Sequence, residues 1–347
     1  MSRGLGDVYK RQIVGCGNIF PMHAYPVNEL ACCELVAVCD IKEDRAKAKA
    51  EEFGCKYYLD YKEMIEKENL DVLHCCTPHY MHPIITIYAL EHGVNVMTEK
   101  PMSIKYEDTV AMVETADRVG KTLGVIFQNR YNPGSVLAKK IYDSGELGKA
   151  LGAKMNVTWM RTDEYYSKSD WKGTWDKEGG GVIIDQAIHT FDLMRWILDD
   201  EPEWVDVNIA NRTHEIIQVE DSAEGVIKFK KTGVLASFYT INYYCTDSDV
   251  EVEIYCENGV INIKADRCEI TMKDGRKYIA DKVPGEGFNY GNVKGYWGIS
   301  HVKQIRAFYE SFAKGEQPFI NGHEAMKTMK MICTIYDSGK EKVRKYY

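Results

Sequence analysis

No stretch of this 347-residue sequence approaches the ~20 consecutive apolar residues that a helix needs to cross a bilayer, which excludes a helical membrane span. Positive charge is scarce as well: 44 lysines and arginines face 52 aspartates and glutamates, a net charge of −8. That balance argues against a nucleic-acid or anionic-membrane partner, since both demand basic patches. Internal repeats, low-complexity tracts and long flexible linkers are also missing. The opening segment carries Arg3, Lys10 and Arg11 but lacks the apolar core of a secretion signal.

What is present describes an ordinary soluble globular protein. Hydrophobic residues make up 45% and charged residues 28%. At this length two domains are expected rather than one core. The eleven cysteines suit a reducing cytoplasm better than a disulfide scaffold. Cys32-Cys33 and Cys75-Cys76 lie in apolar segments, where free cysteine behaves as a small hydrophobe. The wording from Gly4 to Gln12 resembles a translated sequencing-adapter remnant, so residues 1–11 are expected to be non-native or loose.

Strand and helix patterns alternate through residues 12–128. Strands are expected at 13–14, 34–39, 71–75, 94–98 and 122–128, with helices at 42–53, 81–91 and 106–119 between them. Such alternation implies parallel pairing with right-handed crossovers, a doubly wound sheet. Residues 129–347 change rhythm. A long helix at 182–198 precedes strand-like runs at 205–211, 223–229, 234–243, 250–256, 260–265 and 269–272, and helices at 299–314 and 324–342 close the chain. Consecutive strands of this kind indicate a large, mostly antiparallel open sheet in a second α/β domain.

Gly15-Cys16-Gly17-Asn18-Ile19-Phe20 supplies the first two glycines of a dinucleotide-binding turn, with Phe20 where the third should stand. Asp40 follows the second strand, 23 positions after Gly17 (40 − 17), where an acidic group can hold a ribose 2′-hydroxyl and repel a 2′-phosphate. NAD is therefore the expected cofactor, with NADP as the alternative. The other reading of Asp40 is a cap for the helix at 42–53. Thr77-Pro78 and Glu99-Lys100-Pro101 end two further strands, on the side where ligands bind in such sheets. His74, Cys75, Cys76, His79 and His82 fit no usual zinc spacing, so no metal is expected.

The helix at 182–198 is apolar nearly all round, yet Asp185, His189 and Asp192 recur at i, i+4 and i+7. Burying titratable groups is costly unless they are paired or face a wet cleft. One reading is a structural Asp–His network. The other is a general base, His189, tuned by Asp185. Gly179-Gly180-Gly181 just before it would let backbone approach a ligand. Arg161, Tyr165, Tyr166, Trp171, Trp175 and His301 are candidates for substrate walls, the alternative being loop residues packed on the sheet.

Together Gly15 to Ile19, Asp40, Thr77-Pro78 with His82, Glu99-Lys100-Pro101 and the run from Gly179 to His189 resemble the Gfo/Idh/MocA oxidoreductases over residues 12–345. The resemblance implies Lys100, Asp185 and His189 as the catalytic set. It implies Gly15, Gly17, Asn18, Ile19, Asp40, Thr77, Pro78, His82, Glu99, Lys100 and Asn129 as the cofactor site. It also implies a homodimer or homotetramer built through the second sheet. The expected reaction is hydride transfer between a secondary alcohol of a carbohydrate and the nicotinamide. The alternatives are an NAD-dependent glycosidase working by transient oxidation and elimination, and a non-catalytic NAD-binding sensor.

Overall fold

The computed structural model describes residues 9–288, 290 and 298–347. The chain divides into two compact units, one of residues 1–128 and 287–326, the other of residues 129–286 and 327–347. The second unit therefore does not run unbroken to the C-terminus, as the sequence had suggested. Residues 287–326 return to the first.

The first unit alternates as expected: β1 (Tyr9–Val14), α1 (Phe20–Glu29), β2 (Cys33–Cys39), α2 (Glu43–Phe53), β3 (Lys56–Tyr58), α3 (Tyr61–Lys67), β4 (Val72–Cys75), α4 (His82–Glu91), β5 (Asn95–Thr98), α5 (Tyr106–Val119) and β6 (Leu123–Val125). The six strands are all parallel, in the order β3-β2-β1-β4-β5-β6. The order reverses between β1 and β4, which opens a crevice at the carboxyl edge of the sheet. Gly54 and Gly120 stop α2 and α5 in the left-handed conformation. Tyr9, Lys10 and Arg11 belong to β1, a correction to the expectation of loose residues up to 11; residues 1–8 lie outside the described ones.

The second unit contains α6 (Pro133–Asp143), β7 (Ala150–Thr158), α7 (Asp163–Ser167), a π-helical segment Val182–Ala187, α8 (Ile188–Leu198), β8 (Pro202–Ala210), β9 (Ser222–Phe229), β10 (Leu235–Ile241), β11 (Glu251–Cys256), β12 (Gly259–Lys264), β13 (Arg267–Met272) and β14 (Lys277–Ala280). After α9 (Gly298–Lys314), α10 (Gly322–Glu341) and β15 (Lys345–Tyr346) complete the chain. The nine-stranded sheet runs β14-β13-β12-β11-β7-β10-β9-β8-β15 and is antiparallel except where β7 meets β10. Helices α6 and α8 cover one face. On β10 the alternation is regular, with Ala236, Phe238 and Thr240 buried and Leu235 and Tyr239 exposed.

Candidate active site

Consecutive loops line the carboxyl edge of the first sheet. Gly15 adopts φ +98°, and a Cβ there would stand 2.4 Å from the Cys76 carbonyl oxygen, so the β1 and β4 loops touch through this glycine. At Gly17 a Cβ would meet nothing within 4 Å, which leaves the backbone open to a ligand. No side chain caps the N-terminus of α1, where Pro21 occupies the first turn. An uncapped helix start behind a glycine turn fits a pyrophosphate.

Asp40 does two jobs. Its carboxylate accepts the Cys16 N–H at 2.9 Å and the Lys42 N–H at 2.8 Å, bracing the glycine turn against the start of α2. A carboxylate has about four acceptor positions, so lone pairs remain for a ribose hydroxyl. Thr77 and Lys100 follow β4 and β5 on the same edge. Asn129 lies in the 3-10 turn Gln128–Tyr131 at the division between the units.

Two residues assigned to the cofactor have other partners here. His82 is fully buried, with Nδ1 2.7 Å from the Pro101 carbonyl and Nε2 2.8 Å from the Thr77 carbonyl. Burial lowers its pKa, while the two carbonyls pull the other way. A neutral ring can donate to only one of them. His82 ties two loops together instead of meeting a ligand. Glu99 is buried, and its Oε1 faces His23 Nε2 at 2.9 Å and His301 Nε2 at 2.7 Å. His301 consequently sits inside the first unit, bonded to Glu99, and is not a substrate wall.

His23, Glu99 and His301 have the composition of a metal site, with ligand atoms within 4.8 Å of one another. The hydrogen-bond separations of 2.7 and 2.9 Å are those of shared protons. Donors around a tetrahedral zinc lie about 3.3 Å apart, given bonds of about 2.0 Å.

In the second unit the polar stripe splits three ways. Asp192 is buried and takes a two-pronged bond from Arg130, Nε at 2.7 Å and Nη2 at 2.6 Å, plus the Thr328 hydroxyl at 2.6 Å. It is a fastening of α8. Asp185 and His189 are half-buried while their helical neighbours are buried. Asp185 Oδ2 accepts from Lys172 Nζ at 2.6 Å, the Tyr165 hydroxyl at 2.8 Å and Gln186 Nε2 at 2.7 Å.

Lys172 and Glu178 were not singled out from the sequence. Lys172 also lies 3.4 Å from Glu178, and its ammonium sits 4.7 Å from the Tyr165 and Trp171 ring centroids. Burial disfavours its charge, but Asp185, Tyr165 and Glu178 outweigh that and raise its pKa. Burial pushes Glu178 up to about 8 against the opposing pull of Lys172. The available signal was a lysine and a glutamate flanking Trp175, just before three glycines.

The glycine run is explained internally, contrary to the reading of it as a ligand cradle. A Cβ at Gly180 would fall 1.9 Å from the Tyr336 hydroxyl, and one at Gly181 1.9 Å from the Glu220 carbonyl oxygen. Glu220 then accepts the Gly181 N–H at 2.9 Å and the Ile183 N–H at 3.1 Å, while the Tyr336 oxygen takes the Ile184 N–H at 3.2 Å. The helix start is capped from within. It begins as π-helix from Val182 to Ala187, not as the single α-helix expected over 182–198. Such segments recur at functional sites.

Of the aromatic candidates, Tyr165 reaches Asp185, Trp171 lies beside Lys172, and Arg161 stacks 5.3 Å from the Tyr165 ring while pairing with Asp247. Tyr166 is core, packed with Ile217 and Val219, its hydroxyl accepting from Asn242 Nδ2 at 2.6 Å. Trp175 donates to the Gln218 carbonyl at 2.9 Å. These two are packing residues, a correction to their place among the substrate walls.

The glycine turn, Asp40 and the switch point fit a dinucleotide-binding Rossmann domain, and residues 10–127 match the model of an oxidoreductase family with an NAD-binding Rossmann fold. Residues 136–262 match the GFO/IDH/MocA C-terminal domain, and the chain belongs to the GFO/IDH/MocA family. It is similar to myo-inositol 2-dehydrogenase of Thermotoga maritima, 24% identical, with 95% of this chain and 96% of that protein covered. D-glucoside 3-dehydrogenase of Escherichia coli is 31% identical, covering 64% of this chain and 67% of that protein. The solved WlbA dehydrogenase of Chromobacterium violaceum, in complex with NADH and UDP-GlcNAcA, superposes with a TM-score of 0.88 at 27% identity over 100% of this chain and 98% of that one.

Proposed function

We propose that this enzyme reversibly oxidises a secondary alcohol of a sugar, polyol or sugar derivative, with NAD as hydride acceptor. The observation that carries the reading is Asp185 and His189, half-buried on an otherwise buried segment, with Asp185 held by Lys172 and Tyr165. His189 takes the hydroxyl proton as general base. Lys100 holds the hydroxyl oxygen and stabilises the alkoxide charge as it develops. Asp185, paired with the Lys172 ammonium at 2.6 Å, complements the charge that His189 gains. Bound NAD supplies the ring carbon that accepts the hydride. The polyol and sugar dehydrogenases among the relatives support this substrate class. Asp40 supports NAD over NADP, because a buried carboxylate disfavours a 2′-phosphate.

The first unit binds the cofactor, and the second binds the substrate and a further copy of the chain. Support for self-association is the open face of its sheet, where Leu151, Leu235, Tyr239 and Tyr255 are exposed. Eleven free thiols support a reducing compartment, the cytoplasm.

The test is His189→Ala and Lys100→Ala, assayed by NADH absorbance over a polyol and sugar panel. Both are expected to lose about 10²- to 10⁴-fold in kcat. NAD binding, followed by fluorescence titration, should persist. Folded, NAD-binding variants with full turnover would refute the assignment.

A further inference from the structure

Behind the Glu99-Lys100-Pro101 loop, five buried side chains of the first unit form one continuous hydrogen-bond chain. The Tyr309 hydroxyl lies 2.5 Å from His74 Nε2, and His74 Nδ1 lies 2.8 Å from His23 Nδ1. His23 Nε2 then meets Glu99 Oε1 at 2.9 Å, and His301 Nε2 meets the same oxygen at 2.7 Å. The members come from α9 (His301, Tyr309), β4 (His74), α1 (His23) and the residue after β5 (Glu99).

The proton positions follow from the carboxylate end. Burial alone would raise the Glu99 pKa, but the bonds from His23 and His301 hold it well below the usual carboxylate range. Glu99 therefore accepts, and His23 and His301 both donate from Nε2. Burial keeps His23 and His74 neutral by lowering their pKa values. A neutral His23 that donates from Nε2 must accept at Nδ1. His74 accordingly donates from Nδ1 and accepts at Nε2 from the Tyr309 hydroxyl. Every proton points toward Glu99, and neither His23 nor His74 carries a second one.

The carboxylate sends this order into the loop. Its Oε2 accepts the backbone N–H of Lys100 at 3.3 Å. On the other side of Lys100, the Pro101 carbonyl is 2.7 Å from His82 Nδ1. The peptide is held on both flanks while Lys100 itself is half-buried.

We propose that the Tyr309–His74–His23–Glu99–His301 chain is a positioning device that presets Lys100, an inference that rests on the reading of Lys100 as the group that holds the substrate hydroxyl. None of the five touches substrate; they act through the peptide that bears Lys100. A chain whose protons run one way has one arrangement of lowest energy, and each member fixes the rotamer of the next. The lysine is thereby aimed without a bond to its own ammonium being required.

The experiment compares the full-length wild type with His301→Leu, His301→Gln and Tyr309→Phe. Gln keeps a donor near the Nε2 position, and Leu removes it. The first readout is the rate of Lys100 acetylation by acetic anhydride across pH, read by mass spectrometry against the other lysines, which needs no turnover. His301→Leu is expected to change that rate about fivefold or more, through the altered surroundings of the ammonium. Its kcat should fall about 10- to 100-fold with the KM for NAD little changed, as for a misplaced catalytic group. His301→Gln should recover both, and Tyr309→Phe should shift both less than His301→Leu. A folded His301→Leu protein with unchanged Lys100 acetylation and unchanged kcat would overturn the proposal. So would a folded His301→Gln that behaves like Leu. Altered acetylation with unaltered kcat would support the positioning device and sink the catalytic role of Lys100 instead.

Discussion

Arg11 and Gln12 are fully buried in β1, and among the described residues both Gln12 amide atoms and the Arg11 Nε and Nη1 have no hydrogen-bond partner. The Arg11 Nη2 donates to the Cys32 carbonyl at 3.2 Å, and the guanidinium stacks 3.8 Å from the Tyr309 centroid. A buried polar atom left unsatisfied costs about 1–3 kcal/mol, so these two side chains oppose folding of the first unit. Replacing both with valine should raise the free energy of unfolding by about 1–4 kcal/mol, seen as a higher urea midpoint. A lower midpoint would mean that the stacking on Tyr309 outweighs the unsatisfied groups. Asp40→Asn tests a different carboxylate. It retains an acceptor for the Cys16 or Lys42 amide and removes the charge, so the ratio of kcat/KM for NAD over NADP should fall about tenfold. At Lys172, substitution by methionine leaves Asp185 without the cation 2.6 Å from it. Breaking a largely buried pair of this kind costs about 3 kcal/mol, measurable by denaturation at neutral pH. The place of Asp40, directly after β2, was legible from spacing alone. Lys172 was not, because a lysine in a polar loop gives no periodic signal until folding brings it to Asp185.

At the scale of elements, the segment from Val182 to Leu198 shows what pattern can and cannot give. Its apolar composition located a buried helix correctly. Its start, Val182–Ala187, is π rather than α, and there Glu220 and Tyr336, distant in sequence, take the amides of Gly181, Ile183 and Ile184. The three glycines looked like a ligand cradle for the same reason: small residues signal close approach without saying by what. Burial pushes the Glu220 carboxyl up to about 7, against the bonds from Ile183 and Tyr336. A carboxyl whose folded pKa is raised adds stability that is complete below its unfolded value near 4.5 and is lost as pH rises through 7. Glu220→Gln removes this titration. Its stability relative to wild type should therefore improve by about 3 kcal/mol between pH 4.5 and pH 8, in urea melts at the two values. A constant difference would show that Glu220 is ionised throughout. Short elements such as β3 and α3 escaped the sequence reading, since three to seven residues with mixed polarity carry too little periodicity.

At the scale of the whole molecule, the fold was legible because glycine stops and alternating patterns punctuate the first 128 residues, and consecutive strands mark the second sheet. The return of residues 287–326 to the first unit was not legible. A helix such as α9 is amphipathic wherever it docks, and only its tertiary partners, here Glu99 and His74, reveal which core it joins. The open face of the second sheet carries its own expectation. Tyr239→Glu should shift sedimentation velocity toward the monomer without loss of fold, and an unchanged distribution would place self-association elsewhere. Hydride transfer from a carbinol carbon fixes where a label must go when the substrate is deuterated at that carbon. The NADH formed should carry the deuterium, one mass unit heavier by mass spectrometry, with turnover slowed. Unlabelled NADH, or a sugar released from a glycoside with no net NADH, would contradict it.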